Sequence, residues 1–291
     1  MEVSWALLAN AVIAGLLLGG FYAAMSVGIS ISFGMLDVVN IAHPAFIILG
    51  SYIAYIVNDR FGFDPIVVSL VVSPLFFLLG AALYRVYYYC FERRGQESLR
   101  GLAFFFGILF ITEVALVLVF GVDYRMVSTR YGDVTWRAGE VDFPMRLVVP
   151  FLVSMVMVIG VQLFLTRTFF GRAVLAVAQD QLALRLMGVN PVRVKELAFA
   201  LSIATAGVAG SFLIVIQPVQ PAIGREFIGL VFAVCVLGGM GSILGTLLGA
   251  FVLGLAESFT STFFGPSWAP AVSFGLLLAT LAFRPSGILG R

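Results

Sequence analysis

The sequence predicts an all-α polytopic membrane protein with eight or nine transmembrane helices, some of them broken or re-entrant. Hydrophobic residues fill 61% of the 291 positions and charged residues only 11%, whereas about 25% of the residues of a soluble domain are charged. The mean hydropathy is +1.09. Several uncharged runs are long enough for a bilayer core of about 30 Å, which a helix of roughly 20 apolar residues crosses.

We expect residues 1–291 to form a single transmembrane domain. The sequence "LGGMGS" interrupts the apolar run 227–256, which is therefore either two spans or one span and a re-entrant piece. The predicted spans lie near 5–30, 44–57, 66–89, 101–120, 147–166, 197–217, 227–241, 243–262 and 268–283.

Other classes of protein are disfavoured by particular features. A membrane β-barrel shows segments of about ten residues with alternating hydrophobicity, and this chain shows none. We do not expect the first run to be a cleavable signal peptide, because Met1–Ser4 contains no Lys or Arg. The net charge of +2 is too small to indicate nucleic-acid binding. Cys90 and Cys235 lack metal-ligand spacing, so we expect no metal site.

The distribution of charges predicts the orientation of the chain. The basic segment 167–196 and the basic loop "FERRGQESLR" at 91–100 are expected on the cytoplasmic side, because short cytoplasmic loops are rich in Lys and Arg. The balanced loop 121–146 is then external. This alternation places the N-terminus outside and the C-terminus, with Arg284 and Arg291, inside.

Two sets of glycines recur at intervals of four residues. Gly241, Gly245 and Gly249 are predicted to share one helix face, and Gly15 and Gly19 repeat the spacing. Small residues at this interval let helices approach closely in lipid. The alternative, a phosphate-binding loop, needs the motif G-x-x-x-x-G-K-[ST], but the single lysine of the chain lies elsewhere. We therefore predict a packing role and no nucleotide site.

The segment 167–196 is predicted to fold outside the membrane as a short helix, a turn and a second helix. Ala173 to Met187 contains no Gly or Pro and is rich in Ala and Leu, which favours one helix. Gly188 is placed to end that helix. Asn190 and Pro191 are typical of the first residues of the next one.

This cytoplasmic helix either docks on a partner protein or rests on the membrane surface. We favour docking, because both of its ends are sharply capped. Its adjoining helical positions include Val174, Ala178, Leu182, Arg185 and Leu186.

The segment resembles the ATPase-contacting loop of bacterial ABC importer permeases. The general pattern, E-A-A followed after three residues by Gly, is met at Ala183 and Gly188, while Leu182 occupies the Glu position. The branched-chain (hydrophobic) amino-acid uptake family typically has "A-x-A-Q-D" followed by "L-M-G". The matching residues here are Ala176, Ala178, Gln179, Asp180, Leu186, Met187 and Gly188.

Further motifs resemble the H-type permease subunit of that family. The family pattern "N-x-A-H-G" is matched by Asn40, Ala42 and His43, although Pro44 replaces the glycine and Asp37 stands where a small or apolar residue is usual. "VLGGMGS", "GLAES" with its Glu257, and "RPSGILG" are also similar to family sequences.

This resemblance implies a function, a set of partners and a location. The chain would be the permease of an ATP-driven importer for branched-chain or related amino acids, with urea or short amides as alternative substrates. Its partners would be a homologous second permease, two cytoplasmic ATPases that bind ATP and Mg, and an extracytoplasmic substrate-binding protein. The location would be the bacterial inner membrane, and the chain itself would bind no cofactor. The implied ATPase-coupling residues are Ala178, Gln179, Asp180, Ala183, Arg185, Met187 and Gly188.

The polar stretch Asp37–Pro44, at the end of the first apolar run, has two interpretations. It is either a plain turn, in which Asn40 caps a helix, Pro44 begins it and His43 is solvated, or irregular backbone that lines the transport path. Irregular backbone at membrane depth is tolerated where it is buried in protein or lines a cavity. The second interpretation makes Asn40 and His43 candidate path residues. His43 is the single histidine, so a metal site would lack partners.

Glu113 and Glu257 are acids beside or within apolar runs. Burial of such residues is costly, so each needs a partner or a cavity. They either line the path, where an ion-coupled secondary transporter would also use them, or they reach the interface or bond the neighbouring Thr112 and Ser258. An intramembrane hydrolase is disfavoured, because no serine lies in a nucleophile motif. We therefore do not expect an enzyme.

Overall fold

The structure is a computed structural model that describes residues 5–95 and 98–290. Within these residues the chain forms eleven α-helices and one small β-hairpin, which confirms the predicted all-α membrane architecture. Arg291 and residues 96–97 of the second basic loop lie outside the described residues. The helices are α1 (Trp5–Ser32), α2 (His43–Phe61), α3 (Pro65–Cys90), α4 (Ser98–Phe120), α5 (Met145–Arg167), α6 (Phe169–Gln179), α7 (Gln181–Leu186), α8 (Pro191–Ile216), α9 (Gly224–Gly238), α10 (Ile243–Phe263) and α11 (Ala269–Phe283).

The number of spans agrees with the prediction of eight or nine. Among the described residues, eight helical segments have the length and apolar character needed to cross a bilayer. The predicted span 44–57 corresponds to α2, which is not one of these eight. It begins at His43 and carries Asp59 and Arg60 in its last turn, which lowers its hydropathy.

Helix α8 lies at the centre of the bundle and packs against α1, α2 and α3. Glycines permit the approach of these backbones. A Cβ atom on Gly80 of α3 would lie 2.8 Å from the Cα of Ala200, and one on Gly50 of α2 would lie 2.9 Å from the Cα of Gly207. Small residues therefore let α2 and α3 approach α8 at backbone distance.

Helices α1 and α10 run antiparallel and meet at two predicted packing glycines. A Cβ atom on Gly15 would lie 2.8 Å from the Cα of Leu255. One on Gly19 would lie 2.9 Å from the Cα of Phe251. Neither position has room for a side chain.

The glycine-rich break between α9 and α10 forms a tight turn. Gly249 and Gly245 of α10 face α9: a Cβ on Gly249 would lie 2.7 Å from the Val234 carbonyl oxygen, and Gly245 lies against Gly238. The prediction that Gly241 shares their helix face is wrong, because α10 begins at Ile243. Gly241 lies in the turn with a φ of +81°, which glycine adopts without a Cβ penalty.

The balanced loop and the two basic segments lie at opposite ends of the bundle, as the charge analysis predicted. At one end, the Asn10 side chain of α1 bonds to residues of the loop 121–144: its Nδ2 donates to the Glu140 carbonyl oxygen, and its Oδ1 accepts from the Asp142 backbone N–H at 2.8 Å. At the other end, Glu92 and Lys195 join the two basic segments at 2.7 Å. The two basic segments therefore lie together, opposite the balanced loop.

The balanced loop contains strands that the sequence analysis did not predict. Strand β1 (Thr135–Ala138) pairs antiparallel with β2 (Val141–Pro144). Arg125 and Val219 exchange two backbone hydrogen bonds of 2.8 Å, which tie the loop to the segment that follows α8. We name the end of the bundle that carries this loop the outer end, and the opposite one the inner end.

Candidate functional site

The segment between α5 and α8 forms two helices, not the single helix predicted from Ala173 to Met187. The break is at Asp180, which has extended backbone and acts as the N-cap of α7. Its Oδ1 accepts from the backbone N–H groups of Leu182 and Ala183 at 2.8 and 3.0 Å. Aspartate competes with the helical ladder through such bonds, which explains why the helix restarts here.

The predicted ends of the segment are confirmed. Gly188 has a φ of +80°, and the bonds from Gly188 N–H to the Arg185 carbonyl and from Val189 N–H to the Leu184 carbonyl close α7. Asn190 caps α8 through its Oδ1, which accepts from the Val192 N–H at 3.0 Å. Pro191 begins that helix.

Helices α6 and α7 have one face on the protein and one face open at the inner end. Val174 and Val177 are buried, so Val174 does not belong to the exposed surface that the sequence suggested. Leu186 and Met187 are 83% and 80% exposed. We name nine of the exposed residues of this segment the coupling surface: Ala178, Gln179, Asp180, Leu182, Ala183, Arg185, Leu186, Met187 and Gly188.

Ion pairs connect the first turns of α8 to the end of α3. Lys195 is 6% exposed and lies 2.7 Å from Glu92, which also accepts a hydrogen bond of 2.6 Å from the Tyr84 hydroxyl. Arg85 and Glu196 form a second pair at 2.6 Å. These pairs join the start of α8 to the end of α3.

The polar stretch that follows α1 folds back into the bundle. His43 Nε2 lies 3.0 Å from the Met25 carbonyl oxygen of α1. Met25 precedes the end of α1 at Ser32, so α2 begins about 10 Å inside that end. Asp37 turns the chain with a φ of +55°, rare for a residue other than glycine.

Asn40 and His43 are completely buried. The expectation that Asn40 caps a helix and His43 is solvated is therefore wrong, because α2 has no side-chain cap. Pro44 does lie in the first turn of α2, as predicted. Among the described residues, the Asn40 amide atoms and His43 Nδ1 have no hydrogen-bond partner. Buried polar atoms in this state are uncommon and indicate a water, an ion or a functional role.

A second helix, α9, also begins inside the bundle, next to the start of α2. A Cβ atom on Gly224 would lie 3.2 Å from Ile48 Cγ1 and 3.6 Å from the Pro44 carbonyl oxygen. The next residue, Arg225, forms an ion pair of 2.9 Å with Glu113 of α4. Two helix starts thus meet within the protein, an arrangement of which the sequence analysis anticipated only the broken segment before α2.

Glu257 of α10 contacts two helices. It accepts a hydrogen bond of 2.7 Å from the Tyr22 hydroxyl of α1 and another from the Ser273 hydroxyl of α11. The expectation that it bonds Ser258 is wrong, because that hydroxyl donates to the Ala11 carbonyl at 2.7 Å. Likewise, Glu113 does not bond Thr112, whose hydroxyl donates to the Ile108 carbonyl at 2.9 Å.

Glu257 and Arg225 line one cavity of about 850 Å³, which we name the outer cavity. The sequence analysis did not include Arg225, although the pair Arg225–Glu226 visibly interrupts two apolar runs. It also did not identify Tyr22, because a tyrosine in an apolar run is most often a packing residue.

Comparison with known proteins supplies the family. The profile described as "Branched-chain amino acid transport system / permease component" matches residues 11–281. The chain is 30% identical to the high-affinity branched-chain amino acid transport system permease protein BraD of Pseudomonas aeruginosa, over 95% of this chain and 94% of that protein. It is 28% identical to the permease protein LivH of Escherichia coli K12, over the same shares.

A different permease protein of the same type of system is also similar. LivM of Salmonella typhimurium is 26% identical, over 92% of this chain and 67% of that protein. No solved structure matches the chain. The profile and the relatives cover nearly the whole chain, so this multi-pass membrane protein belongs to the family of branched-chain amino acid transport system permease components.

Proposed function

We propose that this chain is the transmembrane subunit of an ATP-driven ABC importer for branched-chain or related amino acids and forms half of its translocation path. The observation that carries the proposal is the coupling surface. A six-residue helix, α7, is capped at both ends and presents Leu186 and Met187 to the inner side. Exposed apolar side chains on a fixed helix favour a protein groove as their partner.

The coupling surface gives ATPase subunits a means to move the membrane helices. Helix α7 leads through a short turn into α8, and α8 packs on α1, α2 and α3. The pairs Lys195–Glu92 and Arg85–Glu196 stiffen this connection. Closure of the ATPases on the coupling surface would shift the balance between inward-open and outward-open packings of these helices.

The translocation path is proposed to run past the paired helix starts of α2 and α9. Transport sites often lie where discontinuous helices begin, because free backbone groups there face the solute. Asn40 and His43 supply the unpaired polar atoms at this place. Glu113 and Glu257 lie towards the outer end, beside Arg225 and Tyr22 respectively.

The family supports a proposal for the remaining subunits. The similarity to both LivH and LivM supports a homologous second permease as the partner within the membrane. We propose two cytoplasmic ATPases that bind ATP and Mg, an extracytoplasmic substrate-binding protein, and location in a bacterial inner membrane. This chain would then bind no cofactor itself and would catalyse no reaction.

The test is reconstitution of the chain with the second permease, the ATPases and the binding protein of its own organism. Leu186→Glu adds a negative charge to the coupling surface. Arg94→Gln removes a positive charge from the other inner loop, so both variants change the net charge of the chain by the same amount. We expect L186E to lower ATPase co-purification and ATP-dependent leucine uptake at least tenfold. R94Q should stay within twofold of the wild type.

Two results would contradict the proposal. Leucine uptake by the permease without any ATPase would indicate an ion-coupled carrier, with Glu113 and Glu257 as its candidate acids. Unchanged ATPase co-purification in L186E would remove the role of the coupling surface. ATP-dependent uptake of labelled urea in place of leucine would support the ATP-driven mechanism but contradict the proposed amino-acid substrate.

A further inference from the structure

Helix α9 begins in a groove between α4 and α11. On one side, the Arg225 guanidinium lies 2.9 Å from the Glu113 carboxylate and 5.9 Å from the centre of the Phe110 ring, both on α4. On the other side, Gly229 of α9 lies against the Phe274 ring of α11. We name this surface the charged groove, and its residues are Phe110, Glu113, Arg225, Glu226, Gly229 and Phe274.

The charged groove lies at membrane depth. Glu113 is seven residues from the end of α4 at Phe120, which places it about 10 Å inside the outer end of that helix. Arg225 is thirteen residues from the end of α9 at Gly238, which places it about 20 Å from the inner end of that helix. A hydrocarbon core is about 30 Å thick, so these charges lie in the part of the bundle that crosses it.

The chain itself does not cover these charges. The Arg225 side chain is 51% exposed although it pairs with Glu113, and Glu226 is exposed as well. Within the part of the chain that the structure describes, neither Glu226 nor Glu257 of the adjoining outer cavity has a Lys, Arg or His partner within 4.0 Å. Acyl chains offer neither charge nor hydrogen bonds, so charged residues in spans pair with one another or face a polar cavity. Lipid therefore does not suit the charged groove.

Other exposed faces of the bundle do suit lipid. At comparable depth, α3 presents Leu70 and Leu75, and α5 presents Leu152 and Val156. These side chains are aliphatic and need no polar partner. The charged groove is thus distinguished from the faces of α3 and α5 by its charges and not by its exposure.

The flanks of the charged groove are apolar. Ile111 and Val114 of α4 and Leu278 of α11 are exposed. Water alone would satisfy the charges but leave these flanks uncovered, whereas lipid would cover the flanks but not satisfy the charges. A second membrane subunit provides both, because its helices pack on the flanks and a basic side chain pairs with Glu226.

We infer that the charged groove is the surface on which the second permease sits, with a Lys or Arg of that subunit opposite Glu226. Complementary charges across an interface fix its register and exclude wrong partners. This inference rests on the proposed function, which includes a homologous second permease, and assigns the face through which the two chains meet. The second permease would also cover the outer cavity on the side of the groove.

The first test maps the contact in membranes that contain the assembled complex. The photoreactive amino acid p-benzoylphenylalanine replaces Phe110 or Phe274 in the charged groove. The matched control is the same replacement of Leu152, which is exposed on α5, seven residues from the start of that helix at Met145. Different affinity tags on the two permeases identify each product. We expect both groove positions to cross-link to the second permease at least tenfold more than the Leu152 position.

The second test reverses the charge of Glu226. Glu226→Lys places a cation opposite the expected cation of the second permease, so we expect recovery of this chain with the tagged second permease to fall at least fivefold. Glu226→Gln should lower recovery less. Glu140→Lys, on the turn of the outer hairpin, is the matched control and should stay within twofold of the wild type. Fluorescence-detected gel filtration reports whether each variant remains monodisperse.

Several results would overturn the inference. Cross-links to the second permease from Leu152 but not from the groove would assign the contact to another face. Cross-links from Phe110 and Phe274 to a second copy of this chain, or to no protein, would assign another occupant. Equal recovery of E226K and E140K would remove the role of Glu226. ATP-dependent uptake is measured separately on the unmodified complex, so a pair that meets through another face would leave the proposed import function intact.

Discussion

Helices α8 and α11 both come from uncharged runs that sequence analysis predicts as spans, yet they occupy opposite environments. In the most apolar eighteen-residue window, 89% of the α8 residues are buried inside the protein, whereas the share for the segment Pro266–Phe283, which contains α11, is 6%. Ala, Gly, Ser and Thr occur in both helices, but Gly207 and Gly210 of α8 lie against Phe76 and the Ile47 carbonyl oxygen, whereas a Cβ atom on Gly275 of α11 would meet nothing within 4 Å. The difference teaches that close backbone contact at small residues, which neither hydropathy nor composition reveals, distinguishes the central helix of this bundle.

The two helices also have different relations to function. Helix α8 follows the coupling surface directly and contacts α1 beside the start of α2: the Ser202 hydroxyl donates to the Gly28 carbonyl of α1 at 2.7 Å, next to His43. Of the fifteen described residues of α11, only Ser273 is buried, and its hydroxyl bonds Glu257. Helix α8 is the helix that the proposed function requires to transmit movement, whereas α11 forms one wall of the outer cavity.

The variant with the largest expected effect disrupts the close packing of α8. Gly210→Leu would place a side chain against the Ile47 carbonyl oxygen and 2.9 Å from the Ser51 backbone nitrogen, where neither backbone can yield. We expect no folded protein, measured as the monodisperse fraction in fluorescence-detected gel filtration. Gly275→Leu on α11 is the matched control, because a Cβ there meets nothing within 4 Å. Equal recovery of the two variants would contradict the comparison.

The second-largest effect is expected at the ion pair between Lys195, near the start of α8, and Glu92. Lys195→Met leaves the nearly buried Glu92 with the Tyr84 hydroxyl as a remaining partner. Loss of one member of a buried ion pair costs about 3 kcal/mol, since the other charge stays buried. We expect a loss of about this size in the free energy of unfolding, measured by SDS titration. The double variant K195M/E92Q should recover much of it; an equal loss in both variants would show that the pair itself has no such role.

Much of the fold could be predicted from the sequence. Long uncharged runs located the spans, and Gly188, Asn190 and Pro191 located the turn before α8, because local chemistry decides such features. The break at Asp180 was missed, since helix propensity favours continuation and a single side-chain bond decided otherwise. The prediction for Gly241 failed for a different reason. Its four-residue spacing from Gly245 continues the helical pattern, although Gly241 lies in the turn before α10.

The candidate site was less predictable. The sequence singled out Glu257 and Glu113 as anomalies but suggested their chain neighbours as partners, whereas the partners, Tyr22 and Arg225, lie on other helices. Pairing between distant segments depends on how helices pack, which one sequence does not encode locally. The unpaired polar atoms near His43 likewise become visible only when α2 is seen to start inside the bundle.

The smallest effect tests whether α11 is held by one polar contact. Ser273→Ala removes a hydroxyl from Glu257, which keeps its bond to Tyr22, so we expect a loss of about 1 kcal/mol. The loss should be local: amide hydrogen exchange should accelerate in α11 and remain unchanged in α8. Thr280→Val is the control, because the Thr280 hydroxyl bonds only the Leu276 carbonyl of its own helix among the described residues. If S273A and T280V exchange alike, α11 is held by its apolar contacts with α9 and α10, and the wall of the outer cavity does not depend on Glu257.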